Sequence, residues 1–338
     1  MTIQLRPLAE QTIVITGATS GHGLCTAQMA ARAGARVMLA ARDEDALKEV
    51  ARKLQEKGCI VHYTATDVSV ESEVEHLAKE TIRRFGGFDT WINNAGSGVY
   101  AELLELDIAD HRQVFETNYW GTVYGSLAAM RHLKDRPGGG ALINVGSING
   151  DMGTPILGAY NASKHAVKGF TDSLRIEAIK NGQPVSITLI KPGPIGTPFP
   201  RHGRNKTGYR AQLPPPLYAP EVTARAILHA AQHRRRSVTV GGGGKLQVLG
   251  ATILPNLFDR IASRMAPTLI DYDTPIGDKE GNLHAPQGND GEAEGRQHGR
   301  HFSTFTSAGR HPLAALGLGA ALAGGAAALL VRAARGRA

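Results

Sequence analysis

The chain has 338 residues, of which 42 % are hydrophobic, 20 % charged and 5 % aromatic. That is ample for a packed core, in one large domain or two small ones, and the excess of Gly and Ala suits helices packed closely on a sheet. The net charge of +8 and a pI near 9.6 invite a nucleic-acid reading, but no zinc-ligand spacing, basic helix or aromatic-rich RNA-binding strand accompanies it. No nucleic-acid partner and no bound metal are therefore expected. A polyanionic cofactor or an anionic membrane surface matches the charge better.

The first apolar run, Ile13-Val14-Ile15, leads into Thr16-Gly17-Ala18-Thr19-Ser20-Gly21-His22-Gly23. A helical pattern follows at Leu24, Ala27, Met29, Ala30 and Ala33. Strand, glycine turn and helix in that order form an anion site: glycines let backbone N–H groups approach a diphosphate, and the helix N-terminus adds partial positive charge. A plain tight connection is the alternative. Further strand runs lie at 37–40, 60–64, 90–93, 142–145, 186–190 and 238–240, with amphipathic helices such as 44–57 and 70–85 between them. Strands alternating with helices predict a parallel sheet covered on both faces, with its ligand at the C-terminal strand edge.

This pattern assigns residues 1–244 to one catalytic domain. Within it, 213–220 is too rich in proline for regular structure. Residues 245–270 have apolar positions at helical spacing from Leu246 to Met265, with Pro255 expected to kink the helix. That extension could pack on the core, on another subunit or on a membrane. Residues 271–311 are polar and rich in Gly, Asp, Asn and His, and read as a disordered linker. Within 312–332, the nineteen residues 313–331 carry no charge and form a candidate C-terminal membrane helix of barely sufficient length. An Ala-rich helix on a partner is the alternative. Cys25 and Cys59 form no C-x-x-C pair and read as reduced, buried thiols. Residues 1–7 lack an apolar signal core. A cytoplasmic catalytic domain is expected, with the C-terminal segment as its candidate membrane anchor.

Tyr160 stands four residues before Lys164, with Ser147 upstream. A lysine at that helical spacing shares a face with the tyrosine. Its charge favours the phenolate of a group whose ordinary pKa is about 10. A serine hydroxyl can steady a carbonyl or alkoxide oxygen beside them. Taken alone, Y-x-x-x-K is weak, since most such pairs are a half-buried ring beside a solvated amine.

The order of motifs decides the matter. Thr16–Gly23, Asp67-Val68, Asn93-Asn94-Ala95-Gly96, Asn118, Ser147, Tyr160/Lys164 and Pro192-Gly193-Pro194-Ile195-Gly196-Thr197 resemble, over roughly residues 10–240, the compact single-domain branch of the short-chain dehydrogenases/reductases. The resemblance implies an α/β fold: a Rossmann-type doubly wound parallel sheet of about seven strands, here with a C-terminal helical extension. It also implies a catalytic set of Asn118, Ser147, Tyr160 and Lys164, with Tyr160 as acid/base. Lys164 would lower the tyrosine pKa and hold the nicotinamide ribose, and Asn118 would hold a water.

For the cofactor, the resemblance implies Gly17, Ser20, Gly21 and Gly23 at the diphosphate. It places Asp67 and Val68 at the adenine, and Asn94, Ala95 and Gly96 at the adenine ribose. Tyr160, Lys164, Pro192, Gly193, Ile195 and Thr197 would lie at the nicotinamide end. His22 departs from the aliphatic residue usual between the two glycines, and a local packing difference is expected there. Ala41 stands where NAD-preferring relatives carry an acid, and Arg42 follows. A guanidinium takes a 2′-phosphate bidentately, so NADP(H) is expected over NAD(H). The implied activity is an alcohol/carbonyl oxidoreductase. Met152, Pro155, Ile156 and Leu157 suggest a lipophilic small-molecule substrate, and homo-oligomers are expected through the helices after the fourth and fifth strands. A non-catalytic NADP(H) sensor or membrane-tethered interaction protein is the alternative. An epimerase or dehydratase of the extended branch fits the glycine spacing less well.

Overall fold

The computed structural model describes residues 3–288 and 291–310. From the N-terminus run β1 (Thr12–Thr16), α1 (Gly21–Arg32), β2 (Arg36–Ala41), α2 (Glu44–Gln55), β3 (Val61–Ala65), α3 (Glu71–Phe85) and β4 (Thr90–Asn93). Then come β5 (Val99–Tyr100), α4 (Ile108–Phe115), α5 (Gly121–Leu133), β6 (Gly140–Val145), α6 (Gly158–Lys180) and β7 (Val185–Pro192). The remainder comprises α7 (Phe199–His202), β8 (Arg204–Asn205), β9 (Tyr209–Ala211), α8 (Pro220–Gln232), β10 (Ser237–Val240), α9 (Gly242–Ile253), α10 (Pro255–Ala262), α11 (Ala266–Leu269), β11 (Ile270–Pro275) and α12 (Thr304–Arg310).

Seven strands form one parallel sheet in the order β10-β7-β6-β4-β1-β2-β3. The strands are continuous apolar runs because both faces are covered. Ile13 and Ile15 point into the cluster that holds Leu24, Leu47 and Ile227, beneath α1, α2 and α8. Val14, between them, joins Met38, Trp91 and Leu133 on the opposite face, as alternation along a strand requires. Helix ends are set by local chemistry. The Asp43 carboxylate accepts the Ala46 N–H at 2.9 Å and starts α2, and Gly86, with φ 77°, ends α3 in a left-handed turn. The chain leaves β1 toward β2 on one side and reaches β4 on the other, so the crevice between their C-terminal ends is the switch point where ligands bind.

Three expectations need correction or limits. Pro255 does not kink one helix; it starts a second. α9 ends at Ile253 and α10 begins at Pro255, where the missing N–H costs nothing at a helix start. Five residues of this pair, Leu246, Leu249, Ile253, Leu257 and Ile261, and Leu254 at its joint are between 48 % and 70 % exposed. The stretch expected to be a disordered linker is instead laid onto the domain among the described residues. β11 pairs antiparallel with β9, and bridges join Asn205 to Lys279 and Tyr218 to Arg300. Few of its side chains are apolar, which is why composition alone reads as a linker. Its backbone groups find partners on the core instead. The candidate membrane segment 312–332 lies outside the described residues, and among the described residues no helix is long and apolar enough to cross a membrane. Both thiols are free, Cys25 buried and Cys59 only half-buried.

Candidate active site

The glycine turn closes on the loop after β4. Gly17 has φ 66°, and a side chain there would come within 2.8 Å of the Ala95 Cα. A side chain at Gly23 would overlap the Gly17 carbonyl, so this crossing demands glycine on steric grounds. Asn94 ties the two loops: its Nδ2 donates to the Thr16 carbonyl at 2.9 Å and the Gly17 carbonyl at 3.2 Å. His22, standing where the family usually has an aliphatic residue, meets Asn94 Oδ1 through its Nδ1 at 2.7 Å. Burial holds the imidazole neutral, with its pKa lowered to about 4. The Gly21 N–H, expected to face a diphosphate, is donated to the Glu292 carbonyl at 2.9 Å.

The turn opens on two adjoining cavities. The smaller is lined by Ser20, Ala41, Arg42, Asp67, Val68 and Gly96, among others. Asp67 uses one oxygen to accept the Ser69 N–H at 2.9 Å and its hydroxyl at 2.6 Å. Arg42 is engaged too. Its guanidinium donates to the carbonyls of Leu283 at 3.2 Å and His284 at 3.3 Å, and to that of Asn282.

The larger cavity, of about 220 Å³, runs from Gly17, Gly21 and Gly23 to Ser147, Tyr160 and Lys164. Ala95, Pro192, Gly193, Ile195 and Thr197 lie along it. Ser147 follows β6 and caps a short helical turn by accepting the Asn149 N–H at 3.1 Å. Tyr160 and Lys164 share the first turns of α6. The Lys164 ammonium donates to the Val145 carbonyl at 3.0 Å and lies 5.6 Å from the Tyr160 ring centroid. Burial lowers the Lys164 pKa from 10.5 to about 8. Burial also raises the Tyr160 phenol above its usual value, and the hydrogen bond with Ser147 offsets part of that rise. Asn118 lies in a π-helical turn, Glu116–Trp120, between α4 and α5. Its Oδ1 accepts the Ser97 N–H at 2.8 Å, and its Nδ2 donates at 2.9 Å to both the Ser97 carbonyl and the Ser163 hydroxyl.

A family profile described as "short chain dehydrogenase" matches residues 11–207. The chain is a short-chain dehydrogenase/reductase. It is 42 % identical over 268 residues to an uncharacterised oxidoreductase, YxnA, of Bacillus subtilis, covering 78 % of this chain and 74 % of that protein. It is 33 % identical over 243 residues to 11-beta-hydroxysteroid dehydrogenase A of Sesamum indicum, covering 69 % of this chain and 68 % of that protein. A Burkholderia phymatum short-chain dehydrogenase/reductase solved with NAD superposes with a TM-score of 0.68 at 26 % identity, over 75 % of this chain and 96 % of the other. A Thermococcus sibiricus alcohol dehydrogenase solved with 5-hydroxy-NADP gives 0.58 at 29 % identity, over 68 % and 95 %. As a member of this family the chain is an NAD(P)-dependent oxidoreductase acting on CH–OH groups.

Not every pocket residue of this dehydrogenase/reductase was anticipated. Met152 and Leu157 line the larger cavity, as expected, but Pro155 and Ile156 do not. Ile156 has φ 56° and packs behind the cavity wall in an apolar cluster with Tyr100, Leu269 and Ile270, while its carbonyl accepts the Ala101 N–H at 3.0 Å. Leu213 and Pro214 of the proline-rich stretch do line the cavity, as do Gln247, Met265 and Leu269 from the C-terminal extension. The apolar spacing of 245–265 was the one sequence signal for that contribution. Phe199 and His202 of α7 border both cavities, and a four-residue helix leaves no periodicity to read.

Proposed function

We propose that this enzyme interconverts an alcohol and its ketone or aldehyde on a lipophilic substrate, using NADP(H) in preference to NAD(H), with Tyr160 as the acid/base. The observation that carries this reading is the convergence of Tyr160, Ser147 and Lys164 on one cavity whose other side is the glycine turn. The residues present fit a dinucleotide. The crossing at Gly17 and Gly23 has no room for a Cβ, and the groove continues past Asp67, Val68 and Arg42. When bound, the nicotinamide supplies or accepts the hydride.

The protein's own residues divide the remaining work. The Tyr160 phenol gives its proton to the carbonyl oxygen in reduction and takes it back in oxidation. Burial of the phenol favours its protonated form. Ser147 hydrogen-bonds the same oxygen. Lys164, held by the Val145 carbonyl, places a cation beside the ring and reaches the nicotinamide ribose. Asn118 fixes the loop at Ser97 and, through Ser163, the turn of α6 that carries Tyr160. Gly17, Ser20 and Gly23 would hold the diphosphate, with Gly21 shaping the turn while its N–H stays with the Glu292 carbonyl; Asp67 and Val68 would hold the adenine, and Asn94, Ala95 and Gly96 its ribose. Pro192, Gly193, Ile195 and Thr197 hold the nicotinamide end. Ala41 leaves the 2′ position without an acid, and Arg42 supplies a cation for a phosphate.

The apolar lining from Met152, Leu157, Leu213, Met265 and Leu269 supports a lipophilic substrate, as does a relative named for a hydroxysteroid. Exposed Ile108, Ile176 and Ile179 on α4 and α6 support self-association through those helices. A membrane contact through 313–331 belongs to the same proposal, and recovery of the whole chain in a detergent-free soluble fraction overturns it. The deciding assay is NADPH consumption against a panel of lipophilic aldehydes and ketones, with Tyr160→Phe in parallel. Turnover lost in the variant with dinucleotide binding retained is expected. Equal turnover in the variant overturns the mechanism, and a preference for short, charged carbonyl compounds overturns the substrate class.

A further inference from the structure

The polar stretch after residue 278 touches the cofactor groove at three separate places. At the glycine turn, Gly291 donates to the Thr19 carbonyl at 2.8 Å and Glu292 accepts the Gly21 N–H at 2.9 Å. Beyond β2, the carbonyls of residues 282–284 hold both terminal nitrogens of Arg42. After β7, the Gly295 N–H reaches the Gly196 carbonyl at 2.9 Å. Asn282 and Pro286 line the smaller cavity together with Arg42, Asp67 and Val68.

The glycines of this stretch are placed for contact. A Cβ on Gly295 would overlap the Thr197 carbonyl oxygen and lie 2.7 Å from the Thr197 carbonyl carbon. A Cβ on Gly281, at φ 58°, would lie 2.5 Å from the Gly203 oxygen. The contact is reciprocal, since a side chain on Gly196 would overlap the Gln297 carbonyl. Gly277 is the contrast, with nothing within 4 Å. Side chains add anchors: His284 to Asp110 at 2.8 Å, Glu292 to Arg201 at 2.9 Å, and Glu280 to Arg204.

We infer that residues 279–288 and 291–300 form the outer wall of the dinucleotide site and, through the carbonyls of 282–284, hold the Arg42 guanidinium where it reads the adenine ribose. Carbonyl acceptors fix two of the guanidinium nitrogens without neutralising its charge, and leave other N–H donors for a phosphate. The wall therefore acts as a positioning element for cofactor choice as well as a surface against the dinucleotide. The inference rests on the proposed cofactor reading only where it concerns Arg42.

The test uses the full chain with NADPH and NADH as probes, measuring affinity and dissociation rate by fluorescence and following amide exchange. Gly281→Ala should weaken NADPH by roughly tenfold and NADH by clearly less, because it shifts the carbonyls that hold Arg42. Gly295→Ala should weaken both and speed release of both. Gly277→Ala should match the native chain. In the native chain, the Gly291 and Gly295 amides should exchange slowly, and more slowly with dinucleotide bound. This last arm needs no variant to fold. Variants that leave both affinities within about twofold of native, or Gly291 and Gly295 amides that exchange as fast as an unstructured chain, overturn the wall. A native chain that prefers NADH, but whose Gly295→Ala variant still releases NADH faster, overturns the proposed cofactor preference and supports the wall.

Discussion

The sheet edge and the C-terminal stretch that lies on it are held by different forces. In β1, β2 and β4 nearly every side chain is buried, and the strands are fixed by apolar contacts on both faces. Among the described residues of 278–300 one apolar side chain, Leu283, is fully buried, and these residues are fixed by backbone hydrogen bonds, ion pairs and glycine-to-backbone contact. Apolar burial is worth more per residue than exposed ion pairs. The edge is therefore the rigid part and the outer stretch the part that opens at lower cost. Chemistry sits on the first and access to it is bounded by the second.

The comparison is tested most sharply at the reacting end. Tyr160→Phe should lower kcat/KM by about 10²–10⁴-fold while leaving NADPH affinity near native. A parallel fall in affinity would mean that the phenol serves the fold more than the reaction. Next comes the core beneath the edge. Trp91 is fully buried, and its Nε1 donates to Asn93 Oδ1 at 2.7 Å. Trp91→Ala should cost about 3–5 kcal/mol in urea unfolding, whereas Leu257→Ala on the exposed face of α10 should stay within about 0.5 kcal/mol. Similar losses at the two sites would erase the distinction between the regions.

Arg42→Asp should reverse the NADPH-to-NADH preference, each way by about tenfold, read from the ratio of kcat/KM values. An unchanged ratio would move the ribose-reading position elsewhere. A further effect concerns acid. His22 has its pKa lowered to about 4 in the folded chain against 6.5 when unfolded, so the unfolded chain binds the proton more readily. That contribution is complete above pH 6.5 and is lost as the pH falls toward 4. Across that window stability should drop by about 2–3 kcal/mol, and less in His22→Gln. An identical acid slope in the variant would assign the loss to other groups.

What could be read from the sequence follows the same division. The seven strands of the sheet were legible because buried runs of Val, Ile and Leu leave a pattern. The two-residue strands β5 and β8 were not, since two residues carry no period. Tyr160 and Lys164 stood out by their helical spacing, but only the order of motifs along the chain, and the family resemblance it carries, joined them to Ser147 as a set. The engagement of Arg42 by residues 282–284 was not legible, because carbonyl acceptors belong to every residue type and leave no mark in composition. Gly281 and Gly295 were read as signs of a loose chain, when each occupies a place where a methyl group would strike the backbone of α7 or Thr197. Burial of Lys164 and Tyr160 also changed the electrostatics expected from their spacing alone, since it disfavours the charged form of each.

The pairing of Gly21 with Glu292 joins the beginning of the catalytic domain to a segment far down the chain. A ribosome delivers the glycine turn early and its covering segment late, separated by roughly ten seconds or more of synthesis at ordinary rates. All seven strands of the sheet leave the ribosome before the covering segment does. During that interval the contacts of Gly291 and Glu292 with the glycine turn cannot form, so the outer side of the groove is the last part of the site to be closed.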